Sequence, residues 1–406
     1  MFKVVKIMQI IDKAKEDKIP AILRLGFRPF FLGASAFSVI AMVMWALFWS
    51  GESQLSSFMY SNPIWWHSHE MLFGFSGAVI IGFLLTAVQN WTGQTSIKGT
   101  KLLLVFSLWL IARIGLMLGS VSSTWLFIDT LWIVVAIYYL AIPIIKVKQW
   151  RNLFFVPVLL LFAFTNIQFH FIALGKSHQS IADIALSVVL VVTVITLVVG
   201  GRVIPFFTSR GTNTEVIERV KTIEYLALIP AWLLLLATLF INNATINGFI
   251  APLSIIAATT NFVRLYRWRT ISTLRIPLLW SLHLAYLSLI IGLFLLGCSF
   301  YISAISESIA IHIITIGGLG GMILAMISRV SLGHTGRKLE VGRFMQVAFI
   351  ALFLSLLARV LLTTVVPTML LNGYVISASL WAVAFGIFTI VYFPVLTKPR
   401  VDGHPG

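Results

Sequence analysis

Long apolar runs, rather than a helical or strand alternation, organise this chain. Stretches of roughly twenty apolar residues recur along it, separated by short polar segments. Twelve of them are predicted to be helices, near 26–50, 66–92, 101–119, 123–145, 153–174, 182–205, 224–241, 246–266, 276–299, 306–328, 344–367 and 374–396. Each approximates the ~20 residues that a hydrocarbon core requires. The pattern predicts an all-α, polytopic membrane protein with twelve transmembrane helices over 26–396. A basic arm at 1–25 precedes them and a tail at 397–406 follows.

Composition agrees: 59% of residues are hydrophobic and 10% charged, too apolar for a soluble domain. The formal net charge of +16 raises the question of nucleic acid, and the placement of the charges answers it. Lys and Arg gather in alternate connections: the arm from Lys3 to Arg28, Lys98 and Lys101, Lys146 to Arg151, Arg202 to Lys221, Arg264 to Arg275, Arg329 to Arg343, and Lys398 with Arg400. The intervening connections hold only Lys176. By the positive-inside rule both termini are expected in the cytoplasm, and the basic balance implies lipid headgroups as partners rather than nucleic acid. A single cysteine, Cys298, excludes an internal disulfide or a thiolate metal cluster.

This topology makes a map of the histidines. His67, His69 and Glu70 fall at the outer end of span 2, His170 near the outer end of span 5, and His312 roughly 9 Å inside the outer end of span 10. His283 falls roughly 12 Å from the inner face. Intramembrane ionisable residues mark functional sites, and neutral imidazole is the commonest metal ligand. His67, His69, His170, His283 and His312 are therefore candidate ligands. Residues i and i+2 of a helix point about 200° apart, so His67 and His69 cannot share a centre within one regular helix. Either one of them sits in a cap or the two serve different centres. Glu70 is a candidate to orient a ligand imidazole, and Asn166 lies one turn before His170.

Spans 2 and 10 also carry a repeat. His69 is followed at offsets five, eight, twenty-three and twenty-four by Gly74, Gly77, Thr92 and Gly93, and His312 at the same offsets by Gly317, Gly320, Thr335 and Gly336. The repeat suggests equivalent roles for His69 and His312 beside glycine-lined grooves, a matched pair suited to bis-imidazole haem ligation. His67, His170 and His283 are then expected to form a second centre. Arg113 and Arg359 lie within spans 3 and 11 and each requires an anion: a haem propionate, Glu307, or an interhelical partner. Arg329, His334 and Arg337 are a candidate inner-face anion or metal site. Twelve helices in three groups of four resemble the catalytic subunit of haem–copper oxidases, in which helices two and ten supply low-spin haem ligands. Spans 6 and 7 here contain no histidine, whereas that family places copper ligands there.

Several segments together resemble the NnrS family: RLGFRPFFL at 24–32, WHSHEMLFGF at 66–75, GFLLTAVQNWTG at 82–93, GGRVIPFFT at 200–208, LHLAY at 282–286, HIITIGGLGGMILAMISRVSLGHTGR at 312–337 and KPRVDGHPG at the end. The resemblance implies a bacterial inner-membrane protein with haem, of b type, and copper, linked to denitrification and to defence against nitrosative stress. Its expected function is binding, and possible reduction, of nitric oxide at a haem–metal site in the outer half of the membrane. Reduction would make it a nitric oxide reductase-like oxidoreductase fed by a quinol or a cytochrome. The alternatives are a non-catalytic haem–copper protein that binds nitric oxide or protects metals, and a twelve-span secondary transporter without a cofactor.

Overall fold

The computed structural model describes residues 16–240, 243–404 and 406. The arm residues Lys3, Lys6, Lys13 and Lys15 lie outside the described residues. Twelve helices are long and apolar enough to cross a membrane, and no strand occurs among the described residues. They are α1 (Phe27–Trp49), α2 (Pro63–Thr92), α3 (Thr100–Leu118), α4 (Ser123–Lys146), α5 (Trp150–Ala173), α6 (Ile181–Gly211), α7 (Lys221–Phe240), α8 (Gly248–Tyr266), α9 (Pro277–Ser299), α10 (Glu307–His334), α11 (Arg343–Thr364) and α12 (Leu370–Thr397). The protein is an all-α multi-pass membrane protein.

Local chemistry sets the helix ends. α2 begins three residues before its predicted start, because the Asn62 side chain accepts a hydrogen bond from the Trp65 backbone N–H at 2.9 Å and Pro63 fills the first helical position. His67 and His69 therefore both lie within the helix. α2 ends at Gly93, whose φ of +67° is the left-handed conformation glycine adopts freely.

Burial separates centre from periphery. In α2 and α6, 83% of the spanning window is buried, and in α10 78%, so these three form the middle of the bundle. α6 touches both α2 and α10. Many of the other contacts follow three arcs, α11, α12, α1 and α2; α3 to α6; and α7 to α10, with cross-contacts of α4 on α2, α9 on α6, and α11 and α12 on α10. Each arc ends on one of the central helices.

Directly after His69 and His312 the backbone widens into π-helical turns, over Glu70–Gly77 in α2 and Ile313–Gly320 in α10. The sequence repeat thus has a structural counterpart. A wide turn leaves carbonyls without their usual partner, and the Ser76 hydroxyl donates to the Met71 carbonyl, five residues back, at 2.9 Å. The repeated glycines admit neighbours that a side chain would displace. A Cβ on Gly74 would stand 2.7 Å from Arg113 Nη1, and one on Gly320 2.5 Å from the Trp381 ring.

Gly201, in the GGRVIPFFT segment, has a similar role toward the C-terminal end of α6. A Cβ there would overlap the Arg264 guanidinium. That group cannot withdraw, because it donates to the Leu197 carbonyl at 2.9 Å, to the Tyr286 hydroxyl at 3.0 Å and to Glu224 Oε1 at 2.9 Å. Gly201→Ala is expected to cost about 1–3 kcal/mol by overpacking, read as a lower unfolding temperature of the detergent-purified protein.

Candidate functional site

Two polar centres lie on opposite faces of α2, in the half of the bundle that holds the N-terminal ends of α2 and α10. The first is a cavity of about 340 Å³ enclosed by α1, α2, α6, α10, α11 and α12. His67, His312, Arg359, Trp45, Tyr374 and Trp381 are among its walls. The His67 ring stacks on Trp45 with centroids 4.2 Å apart and planes at 7°. His312 Nδ1 lies 2.6 Å from the Ser308 carbonyl, an acceptor, so Nδ1 carries the proton and Nε2 keeps a free lone pair. Arg359 Nη2 stands 3.5 Å from the same Nδ1, too far to compete.

Arg359 lies over the Tyr374 ring at 4.6 Å and donates to Ser308 Oγ at 3.3 Å and Thr363 Oγ1 at 3.2 Å. Among the described residues no carboxylate is paired with it; the expected partner Glu307 is not within salt-bridge range. Three further nitrogens on the cavity wall are buried without a hydrogen-bond partner: His67 Nδ1, Trp49 Nε1 and Trp381 Nε1. Orphaned buried donors are costly, and here they gather round one cavity with an unpaired cation.

The second centre is solid. His69 and Glu70 from α2, Arg113 from α3, Asp129 from α4, and Asn166 and His170 from α5 are all buried. His69 stacks on Trp65 at 4.4 Å. Its Nδ1 donates to Glu70 Oε1 at 2.9 Å, and Arg113 Nη1 donates to the same oxygen at 2.7 Å. Arg113 Nη2 also pairs with Asp129 Oδ1, which accepts from Trp132 Nε1 at 3.2 Å. On the inner side of this frame, His69 Nε2 is 3.2 Å from Asp129 Oδ2 and 2.8 Å from Asn166 Oδ1. His170 Nε2 reaches the same Asp129 oxygen at 3.2 Å. His69, Asp129 and His170 thus bring three potential metal-ligand atoms within 4.8 Å of one another.

These placements redraw the expected pairings. His69 and His312 do not share a centre: His69 faces the carboxylate cluster, and its neighbour in sequence, His67, faces the cavity with His312. The helical offset of about 200° between His67 and His69 is the reason. The repeat relates the wide turns of α2 and α10 without making the two preceding histidines equivalent. Arg113, expected beside a cofactor, is instead the interhelical partner of Glu70 and Asp129. Asn166 bonds toward His69 rather than along its own helix to His170.

His283 joins neither centre. The Thr208 hydroxyl donates to the Ile204 carbonyl at 2.9 Å, so it accepts from His283 Nε2 at 2.9 Å, and Thr270 Oγ1 completes the ring by donating to Nδ1 at 3.0 Å. Both ring nitrogens are used, and the outer second centre expected of it with His67 and His170 does not form. Of the set read as an inner-face site, Arg329 lies over Phe207 at 4.0 Å and the His334 ring packs on Phe27 at 5.6 Å. Arg337 Nη1 is buried without a partner.

Asp129 is the functional residue missed in the sequence. Its signal was present, since a carboxylate inside the apolar run WLFIDTLWIVV is as exceptional as an intramembrane histidine.

No curated protein matches the chain. The family description NnrS protein matches residues 21–400, nearly its whole length. With twelve spans and two histidine-bearing centres in one half of the bundle, the chain belongs to the NnrS family, membrane proteins associated with haem and copper and with the response to nitric oxide.

Proposed function

We propose that the cavity holds a b-type haem between His67 and His312 and that the protein binds nitric oxide there. The observation that carries this reading is the pairing of two imidazoles on one apolar, aromatic cavity, with the His312 tautomer already fixed for ligation through Nε2. Ligating histidines characteristically hold their second nitrogen on a carbonyl or carboxylate. The cavity volume falls within the ~300–1,000 Å³ typical of ligand sites.

Arg359 and the Trp49 indole N–H supply what haem carboxylates need, a cation with no carboxylate partner among the described residues and a donor without a hydrogen-bond partner. Covalent attachment would require paired cysteines, and the chain has one, Cys298, so the haem is held by ligation and packing alone. When bound, haem supplies an iron centre with affinity for nitric oxide. His67 and His312 differ in restraint. His312 is tied to Ser308, whereas His67 is held by stacking on Trp45 with Nδ1 unpartnered. With haem bound, His67 would be the less firmly held of the two imidazoles and His312 the better oriented one. The mostly apolar walls favour a small neutral gas.

Copper, the other metal associated with the family, requires ligands outside this cavity in our reading, because both cavity imidazoles are committed. The test is the visible spectrum of anaerobic, detergent-purified protein produced with ample haem. A Soret band that shifts when nitric oxide is added is expected. A protein with no Soret band would sink the proposal, and a band that nitric oxide leaves unmoved would remove its second half.

A further inference from the structure

We infer that His69, Asp129 and His170 form a second site, for a first-row transition-metal ion of the imidazole–carboxylate class, with Asn166 Oδ1 as a fourth donor. The inference rests on three independent features of the buried cluster, and it needs neither haem nor nitric oxide. It deepens the reading above in one respect only, by giving the non-haem metal a place.

The first feature is proton accounting. His69 Nδ1 spends its proton on Glu70 Oε1, so in the neutral ring Nε2 presents a lone pair. That lone pair meets Asn166 Oδ1 at 2.8 Å and Asp129 Oδ2 at 3.2 Å, both acceptors. The Asn166 amide nitrogen is turned to Thr130 Oγ1 at 3.3 Å, which leaves its oxygen pointing inward. Lone pairs converging in a dry interior repel unless a proton or a metal ion stands among them, and either would serve the same set of atoms.

The second feature is charge. Glu70 and Asp129 are two carboxylates against one guanidinium, Arg113, all buried, so the frame attracts a further positive charge. His170 Nδ1 and Glu70 Oε2 are buried without partners, which marks a polar centre not completed by protein groups alone.

The third is size. Bonds of ~2.0–2.1 Å place neighbouring donors of a tetrahedral shell roughly 3.3–3.4 Å apart. The donor separations of 2.8, 3.2 and 3.2 Å lie close to that edge. The second layer is in place as well: Glu70 orients the His69 ring, and Arg113 with Trp132 holds the far oxygen of Asp129. Two imidazole nitrogens with carboxylate and amide oxygens suit copper, zinc or iron, and the affinity order puts copper(II) first.

The experiment uses the full-length protein in detergent, stripped with a chelator and titrated with Cu²⁺, with bound metal counted and the electron paramagnetic resonance spectrum recorded. One ion per chain with hyperfine coupling to two nitrogens is expected. His170→Ala should lower the affinity at least tenfold and reduce the coupling to one nitrogen, and Asp129→Asn should weaken binding while both nitrogens remain. His67→Ala should keep the copper signal with both nitrogen couplings, whatever happens to the haem signal. Wild-type protein that binds no copper at micromolar free ion, or shows no nitrogen coupling, overturns the inference. So does a spectrum abolished by His67→Ala and retained by His170→Ala, which would place the ion in the cavity. If the cluster variants do not fold, the two-nitrogen pattern of the wild type and its survival in His67→Ala decide the matter. Loss of the Soret band with copper binding intact would count against the haem reading alone.

Discussion

Replacing His312 with alanine is expected to abolish stable haem binding, and replacing His67 to leave a weakened, high-spin haem, while His69→Ala keeps a low-spin spectrum. The asymmetry follows from how each ring is held. The Nδ1–H of His312 is fixed on the Ser308 carbonyl at 2.6 Å, which sets the tautomer and makes Nε2 the better donor. The ring of His67 leans on Trp45 and is steered by no hydrogen bond at Nδ1. Losing an oriented axial ligand should reduce haem affinity by a factor on the order of 100 or more, since disturbing even its supporting hydrogen bonds typically costs about 10–100-fold. The ratio of Soret to protein absorbance after size-exclusion chromatography measures this directly. A low-spin spectrum retained at full haem content by His312→Ala would refute the ligand pair. A haem lost in His69→Ala but kept in His67→Ala would restore the pairing that the sequence repeat suggests.

That contrast shows where sequence was legible and where it was not. The twelve spans could be read because each needs ~20 apolar residues and nothing else; their edges moved by up to six residues, as at the end of α6 and of α10, and the Asn62 cap explains the shift at α2. The repeat was legible as spacing, and it corresponds to matched wide turns after His69 and His312. What spacing could not reveal was the direction in which each helix presents its faces to its neighbours. The rule that i and i+2 diverge separated His67 from His69, but only packing showed that His67 is the one turned to α10. Partner choice was equally hidden. Arg113 required an anion, yet its partners are Glu70 of α2 and Asp129 of α4, positions brought together by three helices. His283 was read as a ligand because its threonine partners come from α6 and from the segment before α9, distant in sequence.

The same frame yields the largest stability effect. Arg113→Leu is expected to destabilise the protein by about 3–5 kcal/mol, because it strips from two buried carboxylates the guanidinium that, among the described residues, pairs with both. Arg113 is 1% exposed and Glu70 and Asp129 are 0% exposed, so water cannot replace the lost guanidinium. Leucine fills much of the aliphatic volume, and the penalty is therefore chiefly electrostatic. Neutralising the partners in the same chain, as Arg113→Leu with Glu70→Gln and Asp129→Asn, should recover much of the loss, since removing a buried ionic set entirely costs far less than breaking it. Unfolding temperature and yield of monodisperse protein in detergent read the series. Added Cu²⁺ or Zn²⁺ gives a sharper discrimination. If His69, Asp129 and His170 take a metal, the ion supplies positive charge to the same carboxylate, so Arg113→Leu should be stabilised by metal more than the wild type is. The triple variant, with Asp129 amidated, should respond least. Equal melting of Arg113→Leu and wild type would show that the carboxylates are not held as anions by this guanidinium, and the charge argument for the cluster would fall with it.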